Sequence, residues 1–429
     1  LSIVGVAREV AALTGAPFRP PRVAVREGRT EAATLAGVVV EAPDLCPRYA
    51  ARVITGLRVG PSPPWLARRL RSVGLRPINN LVDVTNYVLW ELGHPLHAFD
   101  YDALRGHRIV VRRARAGERI TTLDGQDRAL TDSMLLIADA ERGVGIAGVM
   151  GGANSEVTGE TTVVLLESAY FQPGETRRTS RALGLSTEAS YRFERGADIE
   201  GLRDALDRAA QLIADLGGGV VAKGVLDFYP SPRPRLRIPL RLSRIQRLVG
   251  NCPPRAQVVR IFQGLGFTVD GREELLEVEV PSFRRDIAME DDLVEEVIRV
   301  WGYEQIPSTL PRGALTLTRR PPALRQVAVV RHALVGAGLS EVVTMSFVDP
   351  DRLRLMGWDP ASPELLNLRN PLSRERSVLR PTLAVGLLET VAGNIHRQIP
   401  DVRCFEVGRV FRSGGAGGLG QEELRVAVA

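Results

Sequence analysis

Read for the spacing of its apolar positions, the chain alternates between helical and extended stretches, and the changes fall at glycine and proline. Residues 1–20 predict a short helix that ends near Gly15 and Pro17. From about residue 33 the pattern turns strand-like, rich in Val and Ala and broken at Pro and Gly. "PPWLARRLRSVGL" (63–75) predicts a helix: Pro leads it, Leu66, Leu70 and Val73 share a face, and Gly74 closes it. A second helix is expected over 79–93. Residues 107–152 read as strands and turns, with an Asp124-Gly125 hairpin signal. Residues 161–171 form a strand, 175–185 a short helix, and 198–216 a long helix closed by Gly217, Gly218 and Gly219.

Pro-rich stretches punctuate this order. One linker is expected at 21–39 and another at 309–323, and a boundary at 229–239. Between the boundary and the second linker, a smaller α/β unit is expected: two short helices, a hairpin around Asp270-Gly271 and an acidic helix. Beyond 324 the reading is helix, strand, helix (381–397) and strand (402–411), a flexible glycine-rich turn at 413–420, and then "ELRVAVA" as half of a strand pair.

Composition adds limits. With 429 residues, 44% hydrophobic and 25% charged, the chain has ample core for roughly three domains. No run approaches the roughly 20 apolar residues that cross a bilayer. The chain starts with Leu and shows no signal peptide, so it is expected to begin inside a larger protein. Cys46, Cys252 and Cys404 are few and scattered, which fits a reducing cytoplasm rather than a disulfide framework or zinc site. The net charge is +6, and Lys223 is the only lysine, so the basic side chains are arginines able to grip phosphate in two-pronged fashion. This permits a polyanionic partner without requiring one.

Five stretches carry candidate chemistry. His94 and His97 lie three apart, but Pro95 breaks any shared helix face and no third ligand is near, so metal is disfavoured against a structural or ligand-contacting pair. Glu167 interrupts an apolar strand, where a carboxylate is costly unless paired or used. "GVGIAGVMGG" (143–152) fits no phosphate-loop template; it is a tight turn, or a place where Gly151 and Gly152 admit a planar group. The segment around Thr187 and Ala189 reads as a turn or as a partly polar pocket floor. In the acidic helix, Asp292, Glu295 and Glu296 share a side, with Asp286 upstream. That is a solvated acidic face, an Arg-binding surface or an Mg²⁺ site.

Taken together and in order, "RPINNLVDVTNYVLWELGHPLHAFDYDAL", "GVMGG", "VVLLESAYF", "RRTSRALGLSTEASYRFERGAD", "RDIAMEDDLVEEVIRVWGYEQIPSTLP" and "NPLSRERSVLRPTLAVGLLETVAGNIHR" resemble the β subunit of bacterial phenylalanyl-tRNA synthetase over nearly the whole chain. The resemblance implies a multidomain α+β fold. Residues 1–20 would end a preceding domain, 40–230 form an α/β tRNA-editing module, and 235–308 a small domain of winged-helix-like type. Residues 324–429 would be a truncated, catalytically silent class II synthetase-like core. It implies a cytoplasmic α2β2 enzyme that attaches phenylalanine to tRNA(Phe) with ATP and Mg²⁺ on the α subunit. The β subunit would edit by hydrolysing tyrosyl-tRNA(Phe). Carried over residue by residue, His97, Glu167 and Arg76 would be catalytic; Pro95, Gly151, Thr187 and Ala189 would line the substrate pocket; Asp286, Asp292, Glu295 and Glu296 would hold Mg²⁺. A structural RNA-binding subunit with a dead pocket, and an independent metal-dependent hydrolase, are the competing readings.

Overall fold

The computed structural model describes every residue except Arg312, 315–320, 415–417 and Leu419. Much of the linker expected at 309–323, and part of the glycine-rich turn at 413–420, therefore lie outside the described residues. The chain forms two compact units, Leu1–Thr309 and Leu310–Ala429.

The first unit opens with α1 (Ile3–Thr14), closed as expected by Gly15. The expected linker at 21–39 is a correction. Residues 27–40 hold β1 (Glu27–Glu31), α2 (Ala32–Leu35) and β2 (Gly37–Val40). The strand "EGRTE" has no apolar alternation to betray it. It is held by pairing with a strand nearly 200 residues later, and by Glu27 on the buried guanidinium of Arg52 at 2.8 Å. β3 (Arg48–Thr55) is buried almost throughout, followed by α3 (Pro64–Ser72), α4 (Val82–Leu92) and β4 (Leu96–Asp100).

Next come β5 (Arg108–Arg113), β6 (Arg119–Thr121), β7 (Asp127–Ala129), β8 (Leu135–Ala138), β9 (Gly143–Ile146) and β10 (Met150–Gly151). Asp124-Gly125 makes the β6–β7 turn, as the sequence predicts. β11 (Val164–Tyr170) is wholly buried. After it stand α5 (Pro173–Leu183), α6 (Glu188–Phe193), α7 (Leu202–Gly217), β12 (Val220–Lys223) and β13 (Leu226–Phe228). The α6 turn was read from sequence only as turn or pocket floor.

These strands make two sheets, ordered β1-β12-β3-β11-β4 (with β13 also on β3) and β10-β9-β8-β5-β2. Side chains alternate along a strand, so β11 serves two cores. Leu165 and Ala169 point with Tyr49, Ala51 and Phe99 toward the second sheet's Ile109, Val111, Ile137 and Val144. Leu166 and Tyr170 point the other way, onto Leu66, Val84, Leu206 and Ile213 of α3, α4 and α7. The result is a sheet sandwiched between helices and a second sheet. Arg48 and Arg52 interrupt β3 but are satisfied: Arg48 by Asp227 at 2.9 Å and Arg52 by Asp207 at 2.6 Å.

The rest of this unit is β14 (Arg237–Arg241), α8 (Leu242–Val249), α9 (Arg255–Leu265), β15 (Thr268–Arg272), β16 (Leu275–Glu279) and α10 (Glu290–Trp301). The sheet order is β14-β16-β15. β14 begins inside the expected Pro-rich boundary and runs past it, and Pro239 is tolerated because the strand is at an edge. The Asp270-Gly271 hairpin signal is misplaced. Gly271 sits within β15 opposite Leu276, and the turn falls at Glu273 and Glu274. Gly271 is there for close backbone approach, since a Cβ would come 2.5 Å from the Leu275 carbonyl oxygen.

The second unit holds α11 (Pro322–Gly336), β17 (Ser340–Glu341), β18 (Phe347–Val348), α12 (Pro350–Leu355), β19 (Val378–Leu379), α13 (Ala384–His396), β20 (Cys404–Arg412) and β21 (Gln421–Val428). The strand expected between the two helices, over 341–348 by its apolar run, is realised only as two short pieces at its ends, β17 and β18. "ELRVAVA" does pair antiparallel with β20. Both units mix helices with several sheets. Among the described residues no helix is long and apolar enough to cross a membrane.

Candidate active site

The register of three strands builds the site. Glu167 on β11 lies directly opposite Ala51 of β3 on one side and His97 of β4 on the other. Tyr49, two residues back along β3 and on the same face, reaches diagonally across, and its hydroxyl donates to Glu167 Oε2 at 2.7 Å. Phenol, carboxyl and imidazole thus stand in a row on the sheet face that meets the second sheet.

His97 rests edge-on against Phe99, with ring centroids 4.4 Å apart. The residue is partly exposed, but its Nε2 is shut away from solvent and has no hydrogen-bond partner among the described residues. Gly151 closes over this ring. A Cβ there would lie 2.4 Å from His97 Cε1 and 2.8 Å from Nε2, so a side chain has no room. Gly152 instead lets β10 lie against β9, where a Cβ would meet the Val144 carbonyl oxygen at 2.8 Å.

The flank is set by α6. Thr187 caps it, accepting from the Ser190 N–H, and donates its hydroxyl to the Val149 carbonyl at 2.8 Å. It therefore anchors the helix to the segment that positions Gly151. Ala189, in the first turn, packs on the cluster containing Tyr49, Ala169 and Phe193. Pro95 is buried immediately before β4.

Not all the expected residues converge. Arg76 is exposed in the loop between α3 and α4, helices that pack on the opposite face of the sheet, and it makes no hydrogen bond or ion pair among the described residues. His94 is structural, its Nε2 3.1 Å from the Ala169 carbonyl oxygen and its ring edge-on to Phe193.

Burial dominates the electrostatics. It pushes the Glu167 carboxyl up to about 7, opposed by the Tyr49 hydrogen bond. It lowers His97 to about 4, so the imidazole is neutral at physiological pH. Burial and the neighbouring carboxylate raise the Tyr49 phenol and the Cys46 thiol. A neutral imidazole nitrogen without a partner, beside a carboxyl poised near neutrality, can hold a water or a hydroxyl and read a hydrogen-bond donor.

The acidic helix does not make a metal cage. Arg284 grips both Asp286 and Glu296, Arg299 takes Glu296 at 2.7 Å, and Asp292 Oδ2 accepts from the Ala288 and Met289 N–H groups at the start of α10. Glu295 is exposed. No group of three or more His, Cys, Asp or Glu able to hold a metal occurs among the described residues. As arranged here, Asp286 and Glu296 are neutralised by arginine and Asp292 caps the start of α10.

Two site residues were not singled out from the sequence. Tyr49 had a faint signal, being in phase with Ala51 and Val53 on an inward face. Leu123 had a better one, an apolar residue beside a tight turn. Its N–H donates to the Gly151 carbonyl at 3.0 Å, and its side chain, 44% exposed, overhangs Gly151.

Residues 45–218, which contain the whole of this row, match the B3/4 domain family. Residues 238–303 match the tRNA synthetase B5 domain, and 306–429 the phenylalanyl tRNA synthetase beta chain CLM domain. The chain is 51% identical over its full length to a phenylalanine–tRNA ligase beta subunit of Geobacter metallireducens, covering 54% of that protein. It is 49% identical to that of Moorella thermoacetica, covering 53%, and 46% identical to that of Syntrophus aciditrophicus, covering 54%, again over all of this chain. The chain spans about half the length of the curated relatives it matches, and along its whole length it is similar to phenylalanine–tRNA ligase beta subunits.

Proposed function

We propose that this chain carries the editing site of a phenylalanine–tRNA ligase, hydrolysing the ester of tyrosyl-tRNA(Phe). The observation that carries the reading is the Glu167–His97 pair under Gly151, with His97 Nε2 buried and unpartnered. Leaving such a nitrogen unsatisfied costs about 1–3 kcal/mol; among the described residues the structural His94 also leaves Nδ1 unpartnered, but His97 bears that cost directly opposite the Glu167 carboxyl and under Gly151. This favours an active editing site over an inert RNA-binding scaffold.

Tyrosine differs from phenylalanine by one hydroxyl, a difference that an apolar synthetic pocket rejects poorly, and a second sieve removes the errors. Glu167 accepts the phenolic hydrogen on the oxygen that Tyr49 leaves free; bound phenylalanine leaves that oxygen unpaired. Ala189 leaves space for the ring, Gly151 makes room for the His97 imidazole, and Pro95 and Thr187 fix the walls. His97 positions the attacking water or the terminal ribose, and the unpaired guanidinium of Arg76 binds phosphate of the tRNA. The reaction needs no metal on this chain. ATP and Mg²⁺ belong to the aminoacylation carried out by a partner α subunit, which the second unit, read as a silent class II synthetase-like core, helps to hold in an α2β2 assembly. The β14–β16 domain is read as winged-helix-like.

The test uses the full-length subunit with its α partner. Release of amino acid from tyrosyl- and phenylalanyl-tRNA(Phe) is followed for wild type, Glu167→Ala and His97→Ala. Rapid release of tyrosine alone is expected, with selectivity lost in Glu167→Ala and rate lost in His97→Ala. Intact aminoacylation without any release by wild type would defeat the reading.

A further inference from the structure

We propose that Tyr49 is a positioning residue of this site: its hydroxyl, donated to Glu167 Oε2, fixes which carboxylate oxygen remains free to read the substrate's phenol. The inference rests on the editing reading and deepens it.

The geometry leaves the carboxyl little choice. Tyr49 is fully buried, its ring locked in the apolar cluster between the two sheets, and its donor reaches Oε2 at 2.7 Å. A phenol has one proton to give, and this one is committed. No side-chain hydrogen bond besides Tyr49's is made to Glu167 among the described residues, so Oε1 remains as the acceptor. The titratable groups facing the carboxyl are few. β3 and the turn before it supply Tyr49 and Cys46, and β4 supplies His97; the α6 and β9–β10 sides contribute Ala189, Ala147 and Gly151, which do not titrate. A donor hydrogen bond stabilises the ionised form against the burial that opposes it. Tyr49 therefore does two things for Glu167: it orients the group, and it keeps it an acceptor near neutral pH. Only an acceptor separates tyrosine, which offers a proton, from phenylalanine, which offers none.

The experiment uses the full-length subunit with its α partner, as wild type, Tyr49→Phe and Glu167→Gln. Tyr49→Phe keeps the ring and removes only the donor. The preference for tyrosyl- over phenylalanyl-tRNA is measured from pH 6 to 9. Tyr49→Phe is expected to lower that preference by about tenfold at neutral pH, the usual worth of one such bond. It should also move the midpoint of the profile upward, so that raising the pH restores selectivity, while Glu167→Gln flattens the profile. A loss of packing alone would not move the midpoint. In parallel, the protonated-carboxyl infrared band that disappears in Glu167→Gln is titrated without substrate. An upward shift of that midpoint in Tyr49→Phe is expected; an unchanged midpoint in both measurements overturns the proposal. If wild type releases no tyrosine, the editing reading fails on its own, and the infrared titration still decides whether Tyr49 governs the carboxyl.

Discussion

At the scale of single residues, Gly151 and Glu167 make opposite demands. Gly151 exists to have no side chain: its missing Cβ is the space taken by His97. Gly151→Ala is expected to displace the imidazole and cut tyrosyl-tRNA hydrolysis at least tenfold, with a stability cost of about 1–3 kcal/mol for the overpacking. Deacylation kinetics beside a urea melt would separate the two, and full activity in the variant would show that His97 does not need its place. Glu167 holds its proton more tightly when folded, about 7 against 4.5. Its contribution is complete below pH 4.5 and lost as pH rises through 7, a total of about 3 kcal/mol. His94 and His97 fall from 6.5 to about 4 on burial, so their contribution has the reverse sign, present above 6.5 and lost as pH drops through 4. Subtracting the melts of Glu167→Gln from those of wild type across pH 4–9 cancels the histidines. The difference should decline between pH 4.5 and 7 and then level; a flat difference would mean the carboxyl is not perturbed.

At the scale of elements, α10 shows how far sequence reading reaches. The apolar spacing predicts a face of Leu293, Val294, Val297, Ile298 and Trp301; the first four are buried and Trp301 is partly buried against the same core. The helix's carboxylates leave cation and arginine open in sequence; here they are taken by Arg284, two residues from Asp286 but twelve from Glu296, and by Arg299 on the next turn. Arg299 also reaches Glu9 at 2.6 Å, and Gly264 of α9 makes room for Ala12, which ties α1 to this domain. Glu296→Ala, which strands two guanidinium groups, is expected to destabilise by about 2 kcal/mol, whereas exposed Glu295→Ala should stay within about 0.5 kcal/mol. Chelation with EDTA should leave the melting temperature of this chain unchanged. Equal losses in both variants, or a chelator-sensitive melt, would restore the cation reading. Elements that bury a periodic face, such as α4, α7 and β11, were legible because the period is local. The polar strand β1 and the Tyr49–Glu167 bond were not, because each is settled by a partner strand that no local window contains; the Asp270-Gly271 signal failed locally, since that glycine serves close approach to the neighbouring strand rather than the turn. Of the site, His97, Glu167, Gly151, Thr187 and Ala189 come together; Arg76 does not.

At the scale of the whole molecule, the two units are unequal in what holds them. The first has three large apolar clusters. Among the described residues the second has one, of five buried residues (Val348, Leu353, Leu365, Val378 and Val385) with Met356 and Trp358 beside it. α11 buries none of its residues, and Leu324, Val329 and Val335 stand exposed along it; Leu424, Val426 and Val428 do the same on β21. In place of apolar mass this unit has the Arg380–Glu406 pair at 2.7 Å, both side chains buried, with Thr344 donating to the same carboxylate. A buried pair of this kind contributes little net stability, yet removing one member costs about 3–5 kcal/mol because the other charge is stranded. Stability should therefore be graded along the chain. Hydrogen exchange should be fastest in α11 and β21 and slowest in β3 and β11. Heating should melt 310–429 before 1–309, and Glu406→Ala should lower only the first of these transitions. If the second unit is completed by an α partner, as proposed, adding that partner must raise protection there first, since a ligand of the native state stabilises what it covers. A single cooperative melt that Glu406→Ala shifts as a whole would show instead that the second unit borrows its stability from the first.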